Sequence, residues 1–168
     1  RERACTALAA QVGVAAEVVY FFPTEDALVT RFIAGTNVAP EVAVQPEMLK
    51  RIVTAMQHYH AAPSFPGTFS PFETVRAYHK LALAHNVTFP DTLPHIFALM
   101  EKIEQALSGT EQIRSCHNDL LASNFIDDGS AIRIIDWEYA GMGDLFFDLG
   151  NFAINQDLNE EQCRLLLT

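Results

Sequence analysis

The sequence predicts an α+β fold, because short strand-like runs occur near the N-terminus and mostly helical segments follow them. The chain has 168 residues, and 49% of them are hydrophobic. A chain of this length and composition can bury one substantial core. We therefore expect one globular domain or a large part of one.

A helix and a β-hairpin are the first predicted elements. Residues 1–11 are rich in alanine, and Gly13 is a good C-terminal stop for a helix. Two short runs of β-branched and aromatic residues, 17–22 and 27–33, lie on either side of Pro23-Thr24-Glu25-Asp26. Because those four residues favour a tight turn, the two runs predict a hairpin.

Helices dominate the rest of the chain, where apolar residues recur every three or four positions. The predicted helices span 46–60, 72–85, 92–107, 146–155 and 159–167. Loops are predicted over 35–46 and 63–71. A second hairpin is predicted over 126–135, with its turn at Asp127-Asp128-Gly129-Ser130. Residues 115–125 fit neither a helix nor a regular strand.

Charge and cysteine content restrict the classes of function. The net charge is −10, which disfavours nucleic-acid binding because phosphates are bound by clustered lysines and arginines. Cys5, Cys116 and Cys163 are odd in number and far apart, so they predict neither a disulfide framework nor a zinc site. A reducing cytoplasm is the simplest setting for them. We expect no membrane span and no signal peptide.

The residues with recognisable chemistry lie in the last third of the chain. His117-Asn118-Asp119 is followed by Asn124, and an apolar strand then leads to Asp136. Phosphoryl transfer needs a carboxylate that holds the attacking hydroxyl, and oxygen ligands that hold Mg²⁺ against the phosphates of ATP. Asp119 suits the first task, and Asn124 and Asp136 offer the hard oxygen ligands that Mg²⁺ prefers.

The spacing of these residues is that of a protein-kinase catalytic loop, in which an asparagine follows the catalytic aspartate by five residues and a metal-binding aspartate comes after a hairpin. His117 is predicted to brace this loop, because the catalytic aspartate must be held rigidly. Each residue alone could be structural, since a lone histidine is often a core residue and Asp136 could simply end a strand. The combination favours a kinase.

These motifs resemble the choline/ethanolamine kinase family, within the larger group of aminoglycoside-phosphotransferase-like kinases. The resemblance rests on residues 117–125, His-Asn-Asp-Leu-Leu-Ala-Ser-Asn-Phe, and on 135–141, Ile-Asp-Trp-Glu-Tyr-Ala-Gly. Residues 144–151 are similar to the family's helix after the metal loop. Weaker similarity at 14–18 and 28–33 resembles the part of the family's N-lobe that leads to the hinge.

The resemblance implies a bilobal, protein-kinase-like fold. It implies a partial N-lobe over 1–36, made of a helix, a hairpin and the hinge, and a mainly helical C-lobe over 37–168 that is cut at its C-terminus. It also implies roles for the site residues. Asp119 would act in catalysis, with His117 and Asn118 beside it, and Asp148 would support the catalytic loop. The Mg²⁺ ligands would be Asn124, Asp136 and Glu138, and the adenine of ATP would meet Thr30, Arg31, Phe32 and Ile33.

The predicted substrate is a small cationic alcohol, either choline or ethanolamine. A quaternary ammonium cannot donate hydrogen bonds, so proteins bind it with aromatic faces and nearby carboxylates. Trp137 and Tyr139 are the aromatic candidates, and Glu138 and Asp144 could supply negative charge. The resemblance at Glu138-Tyr139-Ala140, after the metal aspartate, favours the same substrates.

Two parts of the family pattern do not occur in this sequence. No lysine precedes Lys50, and no glycine-rich loop precedes the predicted hinge. Glu2 lies where the family's lysine-pairing glutamate could lie. We therefore expect the chain to be a piece of a longer kinase, one that turns over weakly or not at all by itself.

Three alternatives remain open. A related kinase could phosphorylate thiamine or an aminoglycoside. A kinase-derived module could bind nucleotide or act as a scaffold without catalysis. A metal-dependent hydrolase could use His117, Asp119 and Asp136, although such sites usually need more histidines at close spacing. His58 and His60 do not supply them, because residues two apart on a helix point to different faces.

Overall fold

The computed structural model describes residues 1–167 and contains helices and strands in mixed order. The helices are α1 (Glu2–Gln11), α2 (Pro40–Ala43), α3 (Pro46–His60), α4 (Pro71–Ala84), α5 (Leu93–Leu107), α6 (Leu145–Asn155) and α7 (Glu160–Leu166). The strands are β1 (Val18–Phe22), β2 (Ala27–Thr30), β3 (Thr36–Asn37), β4 (Ile113–Cys116), β5 (Phe125–Asp127), β6 (Ile132–Ile134) and β7 (Gly141–Asp144), and a 3₁₀ turn spans Ala122–Asn124.

The strands form three small antiparallel sheets. β1 pairs with β2, β5 lies between β3 and β6, and β4 pairs with β7. Both predicted hairpins are present. The predicted loop over 35–46 is wrong in part, because β3 and α2 lie within it. β3 forms there because its two residues pair with β5, a long-range contact that the local sequence does not reveal.

α3 forms the centre of the hydrophobic core. Its buried residues recur at helical spacing, so one face of the helix is enclosed along its whole length. They are Leu49, Ile52, Ala55, Met56 and Tyr59. This face packs with apolar side chains from α1, the 3₁₀ turn, β6 and α6, all within one cluster of buried residues.

β4 and β7 place two chemically important segments beside each other. Cys116, the last residue of β4, pairs with Gly141, the first residue of β7. The segment 117–121 therefore leaves this ladder at the same end at which 135–140 enters it. Gly143 allows the close packing, because a Cβ atom there would lie 3.1 Å from Asn118 Oδ1.

α4 and α5 form a helical hairpin on the outside of the fold. Neither helix contains a fully buried residue. Arg76 of α4 forms an ion pair with Glu104 of α5, and this pairing raises the pKa of the guanidinium. Within residues 1–167, no helix combines the length and the apolar character needed to cross a bilayer.

Candidate active site

Asp148 of α6 is the buried point of attachment for the loop that follows β4. Its side chain is fully buried, and its carboxylate accepts the backbone N–H groups of His117 at 3.0 Å and Asn118 at 2.6 Å. The Tyr59 hydroxyl donates to the same carboxylate at 2.7 Å, and His60 Nε2 lies 2.9 Å from it. Burial alone would raise the pKa of Asp148, but these partners, led by His60, hold it below its ordinary value. An ionised carboxylate therefore fixes the start of the loop.

His117 joins the loop to the segment that carries Asp136. Its ring is fully buried. Nδ1 accepts the backbone N–H of Asp119 at 3.2 Å, and Nε2 donates to the carbonyl of Ile135 at 3.0 Å. This pattern requires a neutral ring with its proton on Nε2. Burial lowers the pKa of His117, although the charge of Asp148 opposes the shift. The ring has the bracing geometry expected from the sequence.

Asn118 is also buried, at 5% exposure, and its backbone has a φ of 70°. Its side-chain N–H₂ donates to the carbonyls of Cys116 and Tyr139. Its Oδ1 has no hydrogen-bond partner among the described residues. Because the amide is enclosed and ties β4 to the start of β7, it does not reach a reacting group, and the predicted catalytic contact of Asn118 is not supported.

Asp119 is half-buried at the turn of the loop. Its backbone carbonyl accepts the N–H of Leu121 at 3.1 Å and the side-chain N–H of Asn124 at 2.9 Å. Its carboxylate makes no hydrogen bond within residues 1–167. Burial is the main cause that raises the pKa of Asp119, and the charge of Asp136 raises it further. The carboxylates of Asp119 and Asp136 are therefore close enough to interact.

Asn124 and Asp136 present oxygen atoms that the protein leaves free. The backbone carbonyl of Asn124 accepts the N–H of Ile135 at 3.0 Å, which ties the two segments together. Within the described residues, neither Asn124 Oδ1 nor the Asp136 carboxylate is engaged in a hydrogen bond. Asp136 has a φ of 68°, a conformation that aspartate tolerates better than most residues. One amide oxygen and one carboxylate form a donor set that suits Mg²⁺.

The N-terminal end of α1 lies near this segment. Burial raises the pKa of Glu2, and the charges of Asp136 and Glu138 raise it further. Arg1 donates from Nη2 to the backbone carbonyl of Glu138 at 2.8 Å. The Glu138 side chain is exposed beside these carboxylates. Glu2, Asp136 and Glu138 thus concentrate negative charge at one end of the site.

Trp137 lies in the core, so its predicted contact with the substrate is wrong. Its side chain is only 1% exposed, and its indole N–H donates to the carbonyl of Ile134 at 2.9 Å. The ring packs edge-on against Tyr59, Phe65 and His117. A ring enclosed on all sides is part of the core, so Trp137 offers no face to a substrate.

Tyr139 lies in a group of aromatic rings that we call the aromatic cluster: Phe69, Tyr78, Tyr139 and Phe147. The Tyr139 and Tyr78 hydroxyls are 2.7 Å apart, and this hydrogen bond, with burial, raises the pKa of Tyr139 to about 12. The Phe69 ring lies edge-on to the Tyr139 ring, with 6.3 Å between the ring centroids. The centroids of the Phe69 and Phe147 rings are 5.3 Å apart. Tyr139 is half-buried, so part of its surface is accessible.

Asp144, also predicted at the substrate, caps α6 in the structure. Its Oδ1 accepts the backbone N–H groups of Phe146 at 3.1 Å and Gln112 at 3.2 Å. This role differs from the predicted substrate contact, although an aspartate directly before a helix is a typical N-cap. The contacts of Asp144 give it a structural function.

The predicted hinge residues lie at the end of β2 and directly after it. Thr30 ends β2, Arg31 pairs with Glu17 at 2.8 Å, and Phe32 is 88% exposed. Arg31, Phe32 and Ile33 line a cavity of about 250 Å³ that the β5–β6 hairpin closes from the other side. Neither Asp119 nor any predicted metal ligand lines this cavity.

A model of the choline/ethanolamine kinase family matches residues 1–163. The chain belongs to this family. The match covers nearly all of the chain, including the catalytic-loop and metal segments described above.

Two known proteins are similar over most of this chain. The LicA protein of Haemophilus influenzae is 26% identical over 145 residues, which are 82% of this chain and 53% of LicA. Rat ethanolamine kinase 2 is 28% identical over 155 residues, or 83% of this chain and 39% of the relative. The chain thus spans about half or less of the length of these relatives.

A solved structure of a family protein confirms the predicted fold class. The choline/ethanolamine kinase family protein from Mesorhizobium loti superposes with a TM-score of 0.87 at 30% identity. The superposition covers 99% of this chain and 58% of that protein. The mixed helix and strand architecture is therefore the kinase-like fold of this family, represented in part.

Three residues that support the site were missed by sequence reasoning. Asn151 of α6 accepts the backbone N–H of Leu120, next to Asp119, at 2.6 Å. Tyr59 and His60 of α3 contact Asp148. Asn151 lies in the segment 144–151 that resembles the family, so its presence there was a usable signal. No local pattern marks Tyr59 or His60, because their partner is 88 or more residues away in the chain.

Proposed function

We propose that this chain forms the catalytic half of a kinase that transfers the γ-phosphate of ATP to the hydroxyl of choline or ethanolamine. One observation carries the proposal most directly: His117 and Asn124 tie the backbone of Asp119 to Ile135, the residue before Asp136. These contacts tie together the two backbone segments that carry the Asp119 and Asp136 carboxylates. Family membership supports the same reaction class.

In the proposed mechanism, Asp119 orients the substrate hydroxyl and accepts its proton as the phosphate is transferred. Its carboxylate is free of protein hydrogen bonds within residues 1–167, so it is available for this contact. His117 and Asp148 hold the loop in place, which suits a reaction that depends mainly on positioning. His117 and Asn118 would act through the backbone and not on the substrate.

Asn124 and Asp136 would hold Mg²⁺, with Glu138 beside them. When bound, the metal ion would neutralise charge on the phosphates during transfer. The donor set fits this ion, because both side chains present hard oxygen atoms with no competing hydrogen bond. Backbone groups at 30–33 are proposed to meet the adenine, as the sequence analysis expects.

The proposed substrate is a small cation. The aromatic cluster supplies ring faces near the loop, and cations are attracted to such faces. Glu2, Asp136 and Glu138 add negative charge, and the whole chain carries a net charge of −10. The named relatives include both LicA proteins and ethanolamine kinases. Direct comparison of choline with ethanolamine distinguishes the two proposed substrates.

A substrate panel tests the proposal. The longer protein that contains this chain would be incubated with ATP, Mg²⁺ and one of choline, ethanolamine, thiamine or an aminoglycoside, and each product identified by mass spectrometry. We expect choline or ethanolamine to give the highest kcat/KM. Preferred phosphorylation of thiamine or an aminoglycoside would contradict the substrate, and no phosphorylation of any alcohol would favour the noncatalytic alternative.

A further inference from the structure

His60, Cys116 and Asp148 bring a nitrogen, a sulfur and an oxygen donor together behind the catalytic loop. These donor atoms all lie within 4.8 Å of one another. We propose that this trio is a binding site for a thiophilic divalent cation of the Zn²⁺ class, separate from the proposed Mg²⁺ site. We call these three residues the His-Cys-Asp site.

The site is built from three elements that the core holds in place. His60 ends α3, Cys116 ends β4, and Asp148 lies in the first turn of α6. Cys116 and Asp148 are fully buried, whereas the His60 side chain keeps 10% of its surface exposed. Solvent and ions therefore have access from the His60 side.

The separation of the His60 and Asp148 donor atoms suits a metal after a small movement. Tetrahedral zinc with ligand bonds of about 2.0–2.3 Å needs donor atoms about 3.3–3.6 Å apart. His60 Nε2 and Asp148 Oδ2 are 2.9 Å apart as a hydrogen-bonded pair. The imidazole must therefore move outward by roughly 0.5 Å to admit zinc. A side chain at the last turn of a helix, with an exposed edge, can make this adjustment.

The donor types select the metal. A thiolate and an imidazole favour zinc and similar ions, whereas Mg²⁺ prefers oxygen ligands alone. On binding, a sulfur–metal bond replaces the S–H bond of Cys116, and the thiol proton passes to solvent. The imidazole binds through the lone pair of Nε2, so its ring proton moves to Nδ1. The carboxylate of Asp148 binds without losing a proton.

Metal binding would reach the catalytic loop through Asp148. The oxygen that would bind the metal, Oδ2, also accepts the backbone N–H of His117 at 3.0 Å. Drawing this oxygen toward a cation weakens its hold on the loop that carries Asp119. Occupancy of the His-Cys-Asp site is therefore expected to lower phosphotransfer, a consequence that rests on the proposed function.

Cobalt spectroscopy tests the site directly. Co²⁺ reports thiolate ligation by a charge-transfer absorption band, and Zn²⁺ should displace it. We expect the band in the wild-type protein and in Cys163→Ser, a matched cysteine control, but not in Cys116→Ser. His60→Gln should raise the Kd for Zn²⁺ at least about tenfold, whereas His58→Gln, on the same helix, should leave it unchanged. Asp136→Asn should keep the band.

Two results would overturn the site: no thiolate band in the wild-type protein, or a band that survives Cys116→Ser. Circular dichroism shows whether Cys116→Ser folds. If it does not, equal Zn²⁺ affinity in His60→Gln and His58→Gln would overturn the site instead. The link to catalysis is measured separately, as Zn²⁺ inhibition under excess Mg²⁺ and ATP. A band without inhibition would contradict that link alone. A band in the longer protein that contains this chain, with no phosphotransfer to any alcohol, would contradict the proposed function and leave the site standing.

Discussion

Asp148 shows how one buried charge can organise a loop. Its carboxylate is fully enclosed and accepts four hydrogen bonds, two from α3 and two from the catalytic loop. Backbone N–H groups that lose such an acceptor remain buried without a partner, which costs free energy. The stability of the fold and the position of Asp119 should therefore depend on the same side chain.

Replacing Asp148 with asparagine tests this dependence. Asp148→Asn keeps the shape of the side chain, but its N–H₂ group would face the hydrogen-bond donors that surround Asp148. We therefore expect the free energy of unfolding to fall by about 3–5 kcal/mol. Urea denaturation measures the change. Asp157→Asn is the matched control, because Asp157 is exposed and asparagine tolerates its φ of 50°. Equal urea midpoints for Asp148→Asn and Asp157→Asn would contradict the stabilising role of Asp148.

Individual residues differ in how well the sequence predicts them. Asp119, Asn124 and Asp136 are predicted from spacing alone, because the motif itself reflects the chemistry that we propose for them. Trp137 was misassigned, since its neighbours in sequence are site residues while its ring turns into the core. The His-Cys-Asp site could not be predicted from spacing, because its members lie 32 or more residues apart and meet only when α3, β4 and α6 pack together.

At the scale of elements, the β5–β6 hairpin returns the chain to Asp136. Asp128 closes its turn by accepting the N–H groups of Ser130 and Ala131 and the Arg133 guanidinium. These contacts, led by the N–H of Ala131, lower the pKa of Asp128. A carboxylate whose pKa is lowered by folding stabilises the fold above its ordinary pKa, and that contribution is lost as the pH falls toward the folded value.

Asp128→Asn should therefore have a pH-dependent effect. We expect it to reduce the free energy of unfolding by about 1–2 kcal/mol at pH 7. The difference from wild type should shrink as the pH falls below about 4, the ordinary pKa of aspartate. Denaturation curves at several pH values measure it, with the exposed Asp91→Asn as control. A difference that stays constant down to pH 2 would contradict the ionic contribution of Asp128.

Several elements were not predicted from the sequence, namely β3, α2, β4 and β7, and β7 shows the reason most clearly. Gly141-Met142-Gly143-Asp144 lacks the β-branched and aromatic residues that mark strands. It is a strand because it pairs along its whole length with β4, and Gly143 leaves room for Asn118. Long helices such as α3 were predicted well, because their periodic apolar residues are the same ones that the core buries.

At the scale of the molecule, the predicted division is a partial N-lobe over 1–36 and a C-lobe over 37–168. We retain this division as a proposal. α1 packs into the main core through Cys5 and Ala9, both fully buried. The β1–β2 hairpin instead exposes large apolar side chains, among them Val19, Tyr20, Phe22 and Val29. A two-stranded hairpin is marginally stable by itself.

Hydrogen exchange distinguishes these parts. In the 168-residue chain, we expect amides of β1 and β2 to exchange at least about 100-fold faster than those of the buried turns of α3, because few buried contacts oppose local opening. α1 should be protected like α3. Mass spectrometry of peptic fragments provides the measurement. Equal protection of the hairpin and α3 would show that the hairpin belongs to the cooperative core.

The most direct test of the catalytic account is the turnover of Asp119→Asn in the longer protein that contains this chain. Removing the proposed base should lower kcat for choline or ethanolamine by about 10²–10⁴-fold, while the affinity for ATP and the unfolding midpoint stay near the wild-type values. Asp91→Asn, at an exposed position, should retain full activity. Wild-type turnover in Asp119→Asn would contradict the account.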